Sequence, residues 1–156
     1  MSIKTSQNYS PNFSTRRRNP EKIKYIVYHY TGMRSESKAI KRLTDDRAKV
    51  SCHYFIKRNG QIILMVPELY EAWHAGKSKC KKDISLNKNS IGVEITNKGH
   101  EFGYQNYSKK QIREYSNAVT TIFSGKSIEK EKNQFSNDQS PLIKNLISFL
   151  NMDSSR

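Results

Sequence analysis

The stretch Ile23-Lys24-Tyr25-Ile26-Val27-Tyr28-His29-Tyr30, followed by Thr31-Gly32, decides the fold of the first part of this chain. Its β-branched and aromatic residues are typical of a strand that is buried on both faces. Alternation along the strand places Val27 and His29 on one face and Tyr28 on the other. We predict an early sheet strand with a histidine at its end. Taken alone, such a histidine is more often structural than reactive.

Up to residue 123, the rest of the sequence predicts further strands and two helices. Strands are predicted at residues 23–30, 52–57, 61–66 and 91–96. Asn59-Gly60 is a strong signal for a type I′ hairpin turn between the second and third of them. A short helix is predicted from Ser35 to Thr44 and a longer one from Ser108 to Phe123, which opens with a Ser-x-x-Gln capping box. This pattern indicates a mixed α/β or α+β domain, with a central mixed sheet flanked by helices.

We divide the chain into three parts. Residues 1–20 are rich in Ser, Asn and Pro and are predicted to be a flexible basic arm. Its Arg16-Arg17-Arg18 run is interpreted as solvated, with a phosphate contact as the alternative. Residues 21–123 form the predicted folded domain. Residues 124–156 are predicted to be a polar linker that ends in a short helix beginning at Ser140-Pro141.

The composition narrows the range of functions. The chain has 156 residues, a formal net charge of +14 and 35% hydrophobic residues. We interpret the scattered positive charge as a solvated basic surface, because no recognition helix, ribonucleoprotein motif or zinc-finger spacing accompanies it. Nucleic-acid binding is therefore disfavoured.

The ends and the cysteines predict a cytoplasmic protein. Residues 1–19 lack the apolar segment of a secretory signal, and no run approaches the ~20 apolar residues of a membrane span. Cys52 and Cys80 are too few for a disulfide framework and are interpreted as plain thiols.

Glu94 is a candidate general base. It lies inside the apolar run Ile91-Gly92-Val93-Glu94-Ile95. A carboxylate is expensive to bury without a partner or a task, and desolvation would raise its pKa toward neutrality. The alternative is a glutamate at a strand end that faces water.

The long connection between residues 69 and 89 carries a second candidate group. Trp73, which is the chain's single tryptophan, and His74 lie in Ala72-Trp73-His74-Ala75-Gly76. They are suited to line a sugar- or peptide-binding cleft, although a tryptophan that merely pins the loop is the alternative. His53 alternates with Cys52 on a strand, so these two side chains point to opposite faces and cannot readily bind one ion together.

Together these segments resemble the zinc-dependent N-acetylmuramoyl-L-alanine amidase family, of the amidase-2 type that includes cell-wall recycling amidases and peptidoglycan recognition proteins. The resemblance runs from about Lys24 to Val119. Its elements occur in the family's order: a strand closing in His-Tyr-Thr, a Ser-x-His-Tyr strand with an Asn-Gly hairpin, Val-Pro-Glu leading into Ala-Trp-His-Ala-Gly, and Asn-x-x-Ser-Ile-Gly-x-Glu. The order and spacing make the resemblance specific.

The resemblance implies one Zn²⁺ and hydrolysis of the amide between N-acetylmuramic acid and L-alanine in peptidoglycan or muropeptides. His29 matches the first zinc ligand. Glu94 matches the catalytic carboxylate, which would take a proton from the attacking water and deliver it to the departing amine. Trp73 and His74 match the cleft wall that contacts the muropeptide, and His53 is assigned to the same substrate-binding group.

The resemblance also implies a later His-x-Asp segment with the second and third ligands, but the chain has no histidine after His100. We therefore expect an altered or truncated C-terminus. Asp138 or Asp153 could replace a ligand, although nothing in the sequence favours either. His53 and His74 could do so only if the loop that carries His74 folds toward His29. A non-catalytic muropeptide-binding protein that has lost the metal is the alternative function.

Overall fold

The computed structural model describes residues 4–124, in which a five-stranded sheet lies between two α-helices. The strands are β1 (Thr5–Gln7), β2 (Phe13–Ser14), β3 (Tyr25–Tyr30), β4 (Tyr54–Ile56), β5 (Ile62–Leu64), β6 (Glu71–Ala72), β7 (Lys79–Cys80), β8 (Asp83–Ile84) and β9 (Ser90–Ile95). The helices are α1 (Glu36–Thr44) and α2 (Lys109–Ser124). The predicted linker and terminal helix lie outside the described residues.

The main sheet has the strand order β1-β5-β4-β9-β3. Strand β9 pairs in parallel with both β3 and β4, whereas β4 and β5 form an antiparallel hairpin. Strand β1 is parallel to β5. The sheet is therefore mixed and central, which confirms the predicted fold class.

The two helices cover opposite faces of this sheet. On one face, the buried side chains of β9 pack with Tyr115 and Ala118 of α2. On the other face, Ala39 and Leu43 of α1 pack with a second cluster that includes Phe55 of β4. Burying each large apolar side chain contributes about 1.5–3 kcal/mol, so the core holds β9 firmly between its neighbours.

Local sequence signals set the helix starts and the hairpin. The Ser35 hydroxyl accepts a hydrogen bond from the backbone N–H of Lys38, 3.3 Å away, and so caps α1. Ser108 and Gln111 bond each other's backbone N–H at 3.1 and 3.0 Å, which confirms the predicted capping box. The predicted hairpin is present, but its turn is not type I′, because Gly60 has a φ of 88° whereas Asn59 does not have positive φ. The N–H of Gly60 bonds the carbonyl of Lys57 at 2.9 Å, which gives a three-residue loop closed by a left-handed glycine. Neither helix of residues 4–124 is both long and apolar enough to cross a bilayer.

Strand β3 differs from the prediction in its burial. We predicted a strand buried on both faces, but all six residues of Tyr25–Tyr30 are only half-buried. The reason is its place in the sheet, because β3 is the outermost strand of the order and has β9 as its one neighbour among the described residues. An edge position leaves every residue of the strand partly exposed.

The N-terminal residues also differ from the prediction of a flexible arm. From residue 4 onward they pack on the domain, and β1 extends the sheet at its far edge. Asn12 is almost fully buried, and its side-chain amide donates to the backbone carbonyls of Asp45 and Val50 at 2.8 and 3.0 Å. Short polar side chains that satisfy loop carbonyls explain why this polar segment is ordered.

The three consecutive arginines do not behave alike. Arg16 and Arg17 are exposed, as predicted for a solvated run. Arg18 is instead partly buried, and its guanidinium donates to the backbone carbonyls of Glu68, Asn87 and Ser90. Burial lowers the Arg18 pKa to about 10. Its guanidinium thus ties the loop at Glu68 to the segment that runs from Asn87 into β9, which a scan of charge along the sequence could not anticipate.

Candidate active site

Strand β9 presents small and polar residues on one face. Ser90, Gly92 and Glu94 alternate with the buried apolar residues of the same strand. The parallel register places His29 of β3 directly beside Glu94. Paired residues of adjacent strands point to the same face, so the histidine and the carboxylate share one surface. This surface lies toward the carboxyl ends of parallel strands, where open α/β sheets bind ligands.

Glu94 is half-buried, and one oxygen of its carboxyl group lacks a partner. Its Oε2 atom is buried and has no hydrogen-bond partner among residues 4–124. Burial raises the Glu94 pKa to about 8. An unpaired buried carboxyl costs stability, so a structure that retains one invites a functional explanation.

His29 is held through one of its two ring nitrogens. Its Nε2 lies 3.2 Å from Nδ1 of His74, and its Nδ1 has no hydrogen bond from the described part of the chain. Burial lowers the His29 pKa, which favours the neutral imidazole. A neutral imidazole with a free nitrogen is the form that binds metal ions.

The loop after β6 brings His74 to this position. The backbone N–H groups of His74 and Ala75 donate to the side-chain oxygen of Asn87 at 3.1 and 2.8 Å. The His74 ring lies directly over Gly92, where an added Cβ would be 2.3 Å from its Cγ. Asn87 therefore fixes the loop, and the missing side chain of Gly92 makes room for the ring.

The second ring nitrogen of His74 is also engaged. Its Nε2 lies 3.0 Å from the hydroxyl oxygen of Ser90, which in turn donates to the carbonyl of Leu86 at 2.5 Å. Burial lowers the His74 pKa to about 2, and the neighbouring His53, His29 and Arg18 add to this effect. His74 is therefore neutral at neutral pH.

His53 lies next to His74 but is structural. Its ring is fully buried; Nδ1 accepts the backbone N–H of Gly92 at 2.9 Å, and Nε2 lies 3.0 Å from the carbonyl of Tyr70. We predicted that His53 contacts a muropeptide, but in this arrangement the ring instead supports the backbone beneath His74. His53 lies just before β4, next to the equally buried Cys52, and its ring has no exposed surface for a ligand.

Trp73 is partly exposed, and hydrogen bonds hold both its side chain and its backbone. Its indole N–H donates to the Ser14 hydroxyl at 3.3 Å, and its backbone N–H donates to the Ser51 hydroxyl at 2.9 Å. The backbone N–H of Ser51 returns a bond to the carbonyl of Trp73 at 3.0 Å. The ring is thus held in place while one part of it stays accessible.

The described residues supply an incomplete donor set for a metal. Within residues 4–124, no group of three or more His, Cys, Asp or Glu side chains is arranged to hold an ion. The donors present do suit zinc, because His29 is neutral with an unpaired Nδ1 and an orphaned carboxyl lies beside it. The chemistry therefore fits one imidazole ligand, and the remaining ligands would come from outside the described residues.

Sequence reasoning missed three contributors, which are Asn87, Ser90 and Gly92. All three belong to the Asn-x-x-Ser-Ile-Gly-x-Glu segment, of which we had singled out only the glutamate. The period-two alternation of that segment carries the signal, since every second residue is small or polar within an otherwise apolar strand. Reading both faces of the strand would have found Ser90 and Gly92.

Comparison with known proteins identifies the family of this chain. The family model described as N-acetylmuramoyl-L-alanine amidase matches residues 19–144, which is most of the chain. This chain belongs to the N-acetylmuramoyl-L-alanine amidase family. The matched region extends beyond the 24–119 range that the motifs suggested.

Individual relatives point the same way. The chain is 40% identical over 85 residues to the N-acetylmuramoyl-L-alanine amidase AmiD of Escherichia coli, covering 50% of this chain and 30% of that protein. It is 34% identical over 75 residues to the 1,6-anhydro-N-acetylmuramyl-L-alanine amidase AmpD of Citrobacter freundii, covering 48% and 40%. The chain thus spans less than half the length of the curated relatives it matches.

A solved structure matches the fold over a longer range. It is the E. coli AmiD amidase in complex with the substrate anhydro-N-acetylmuramic acid-L-Ala-D-gamma-Glu-L-Lys. The TM-score is 0.67 at 27% identity, and the match covers 86% of this chain and 59% of that one.

Proposed function

We propose that this protein is an N-acetylmuramoyl-L-alanine amidase that hydrolyses the amide between N-acetylmuramic acid and L-alanine in muropeptides. The observation that carries the proposal is the orphaned, buried Oε2 of Glu94 next to His29 on one sheet face. The family membership and the muropeptide held by the related AmiD structure support the substrate class.

Glu94 is the proposed proton carrier. Its pKa of about 8 lies close enough to neutral pH for the carboxyl to take and return a proton in one turnover. We assign it the proton of the attacking water, which it then delivers to the nitrogen of the departing L-alanine. No hydrogen bond from residues 4–124 to Oε2 competes with this transfer.

His29 is the proposed metal ligand, through the nitrogen that lacks a hydrogen bond. A bound Zn²⁺ would lower the pKa of its water toward ~7 and polarise the scissile carbonyl. Zinc binding by this chain, and the identity of the other ligands, are part of the proposal. The absence of histidine beyond His100 means that any ligand from that region is a different residue type.

Trp73 and His74 complete the proposal as residues near the substrate. The partly exposed tryptophan ring offers an apolar surface for the sugar or the peptide stem. His74 lies one residue further along and contacts His29, so it joins the cleft wall to the catalytic face. A cytoplasmic location is also part of the proposal.

The test is release of the peptide from an anhydro-muropeptide by the full chain, followed by chromatography, with zinc supplied and then removed by a chelator. We expect zinc-dependent release by the wild-type chain. The His29→Ala variant should bind no zinc and release no peptide. The matched control is His100→Ala, which removes an exposed histidine and should keep both properties.

Two results would contradict the proposal. One is peptide release that survives both the chelator and His29→Ala. The other is tight binding of the muropeptide by zinc-loaded protein with no release, which would establish the non-catalytic binding protein instead.

A further inference from the structure

We propose that His74 and Ser90 form a hydrogen-bond relay that fixes which nitrogen of His29 is free, so that Nδ1 is presented to the metal. His74 and Ser90 are then positioning residues, and this inference rests on the proposed zinc function. The relay runs from the carbonyl of Leu86 through Ser90 and His74 to His29.

The direction of the relay follows from its first member. The carbonyl of Leu86 can only accept a hydrogen bond, so the Ser90 hydroxyl must donate its single proton there, across 2.5 Å. The Ser90 oxygen can then only accept from His74, whose Nε2 lies 3.0 Å away. This requires a proton on Nε2 of His74.

The second step passes the same constraint to His29. A neutral imidazole carries one N–H, so a proton on Nε2 of His74 leaves its Nδ1 as an acceptor. Nδ1 of His74 faces Nε2 of His29 at 3.2 Å, and therefore the proton of this bond belongs to His29. His29 then has its lone pair on Nδ1, the nitrogen without a partner among the described residues.

The surrounding backbone fixes the position of the His74 ring. Gly92 leaves space for the ring, and a Cβ at that position would lie 2.3 Å from Cγ and 2.5 Å from Cδ2 of His74. Asn87 holds the main chain at His74 through two N–H bonds to its side-chain oxygen. The His74 ring is thus held between strand β9, at Gly92, and the loop that Asn87 fixes.

The expected consequence is a preorganised metal ligand. Partners that bond the second nitrogen of a ligating histidine fix its tautomer and orientation, and their loss typically lowers metal affinity by about 10–100-fold. Here the partner is a second histidine that is itself oriented by a serine. His74 acts in this scheme without touching the metal.

The first experiment is nuclear magnetic resonance of the full chain labelled with ¹⁵N at histidine, recorded without metal. We expect a slowly exchanging proton on Nε2 of His29 and a ¹⁵N–¹⁵N coupling across the bond to Nδ1 of His74. A proton on Nδ1 of His29, or the absence of any coupling between the two rings in the folded protein, would overturn the relay.

Two variants of similar outline then separate the relay from simple packing. His74→Asn keeps an acceptor oxygen near the position of Nδ1, whereas His74→Leu has the same branched shape without an acceptor. We expect the His29 Nε2 proton to stay protected in His74→Asn and to exchange rapidly in His74→Leu. Zinc affinity should fall about 10–100-fold in His74→Leu and remain near the wild-type value in His74→Asn. Equal zinc affinity in the two variants would contradict the relay.

A zinc titration of the labelled wild-type chain separates failure of the relay from failure of the proposed function. Zinc should move the Nδ1 resonance of His29 and leave its Nε2 proton in place. Loss of that proton on zinc binding would mean that the metal uses Nε2, and the relay would be wrong. An intact relay with no response to zinc would leave the relay standing and refute the proposed zinc function.

Discussion

The two faces of strand β9 show how one short strand separates stability from chemistry. Ile91, Val93 and Ile95 point to one side and are almost completely buried in the core under α2. Ser90 and Glu94 point to the other side, with Gly92 between them. On the first face a side chain needs only to be apolar and of the right volume.

On the second face the identity of each residue matters. Ser90 orients His74, Gly92 leaves space for its ring, and Glu94 keeps an unpaired buried oxygen. The apolar face therefore stabilises the strand while the other face keeps a carboxyl oxygen that is buried without a partner. Changes on the two faces should therefore affect different observables.

The largest expected effect is on catalysis, from the polar face. Glu94→Gln removes the proton carrier while keeping the shape of the side chain, and we expect kcat to fall by about 10²–10⁴-fold. The measurement is the initial rate of peptide release with zinc present. Glu101→Gln, at an exposed position, is the control and should keep the wild-type rate. A rate within a few-fold of wild type for Glu94→Gln would remove Glu94 from its assigned role.

The apolar face should respond mainly in stability. Ile91 is fully buried, and Ile91→Ala should lower the free energy of unfolding by about 2–5 kcal/mol through lost burial and the cavity it leaves. Urea denaturation followed by circular dichroism measures this. Ile84→Ala, on a side chain that is 69% exposed, should cost far less. Similar losses for the two variants would contradict the assignment of β9 to the core.

The pH dependence of stability also distinguishes the polar face of β9 from its apolar face. Glu94 keeps its proton up to about pH 8 in the folded state but loses it near its ordinary value of 4.5 when unfolded. The folded state therefore binds more protons between these values, and stability should fall as the pH rises through that range.

Glu94→Gln cannot titrate and should not show this loss. Between pH 5 and pH 7 the wild-type chain should lose about 3 kcal/mol of unfolding free energy relative to the variant, at roughly 1.4 kcal/mol for each pH unit. Urea titrations of both proteins at the two pH values give the difference. Parallel pH profiles would contradict a desolvated carboxyl.

The smallest expected effect concerns the space above Gly92. Gly92→Ala forces the His74 ring to move, at a cost of about 1–3 kcal/mol in unfolding free energy. Adding His74→Ala removes the ring and should cancel much of that cost, so the two changes should be non-additive in a double-mutant cycle. Additive costs would mean that the close approach of ring and strand is not what limits position 92.

Much of the fold could be predicted from the sequence, because its signals are local. The Asn59-Gly60 turn, the Ser35 cap and the Ser108 capping box each depend on neighbouring residues, and each is present. The edge position of β3 and the packing of residues 5–18 could not be predicted in this way. Both depend on contacts with strands or carbonyls that are distant along the chain. Arg18 shows this most clearly, because the backbone carbonyls to which it donates lie 50 or more residues away.

The candidate site was only partly predictable for the same reason. Glu94 was a candidate from its place in an apolar strand, whereas His29 became a candidate ligand only through the resemblance to the amidase family. The contact between His29 and His74 spans 45 residues and depends on a long loop folding back, for which the sequence has no periodic signal. In the sequence, nothing distinguishes His53 from the other histidines. Only its complete burial in the structure identifies it as structural.

The measurement that tests the central claim most directly is a pH titration of the Glu94 carboxyl in the folded chain, followed by its ¹³C resonance. Comparing the spectra of the wild-type chain with those of Glu94→Gln assigns the Glu94 carboxyl signal. We predict a midpoint near pH 8, as burial without a partner requires. A midpoint near the ordinary value of 4.5 would mean that the carboxyl is solvated or paired, and the polar face of β9 would lose the feature on which the proposed chemistry rests.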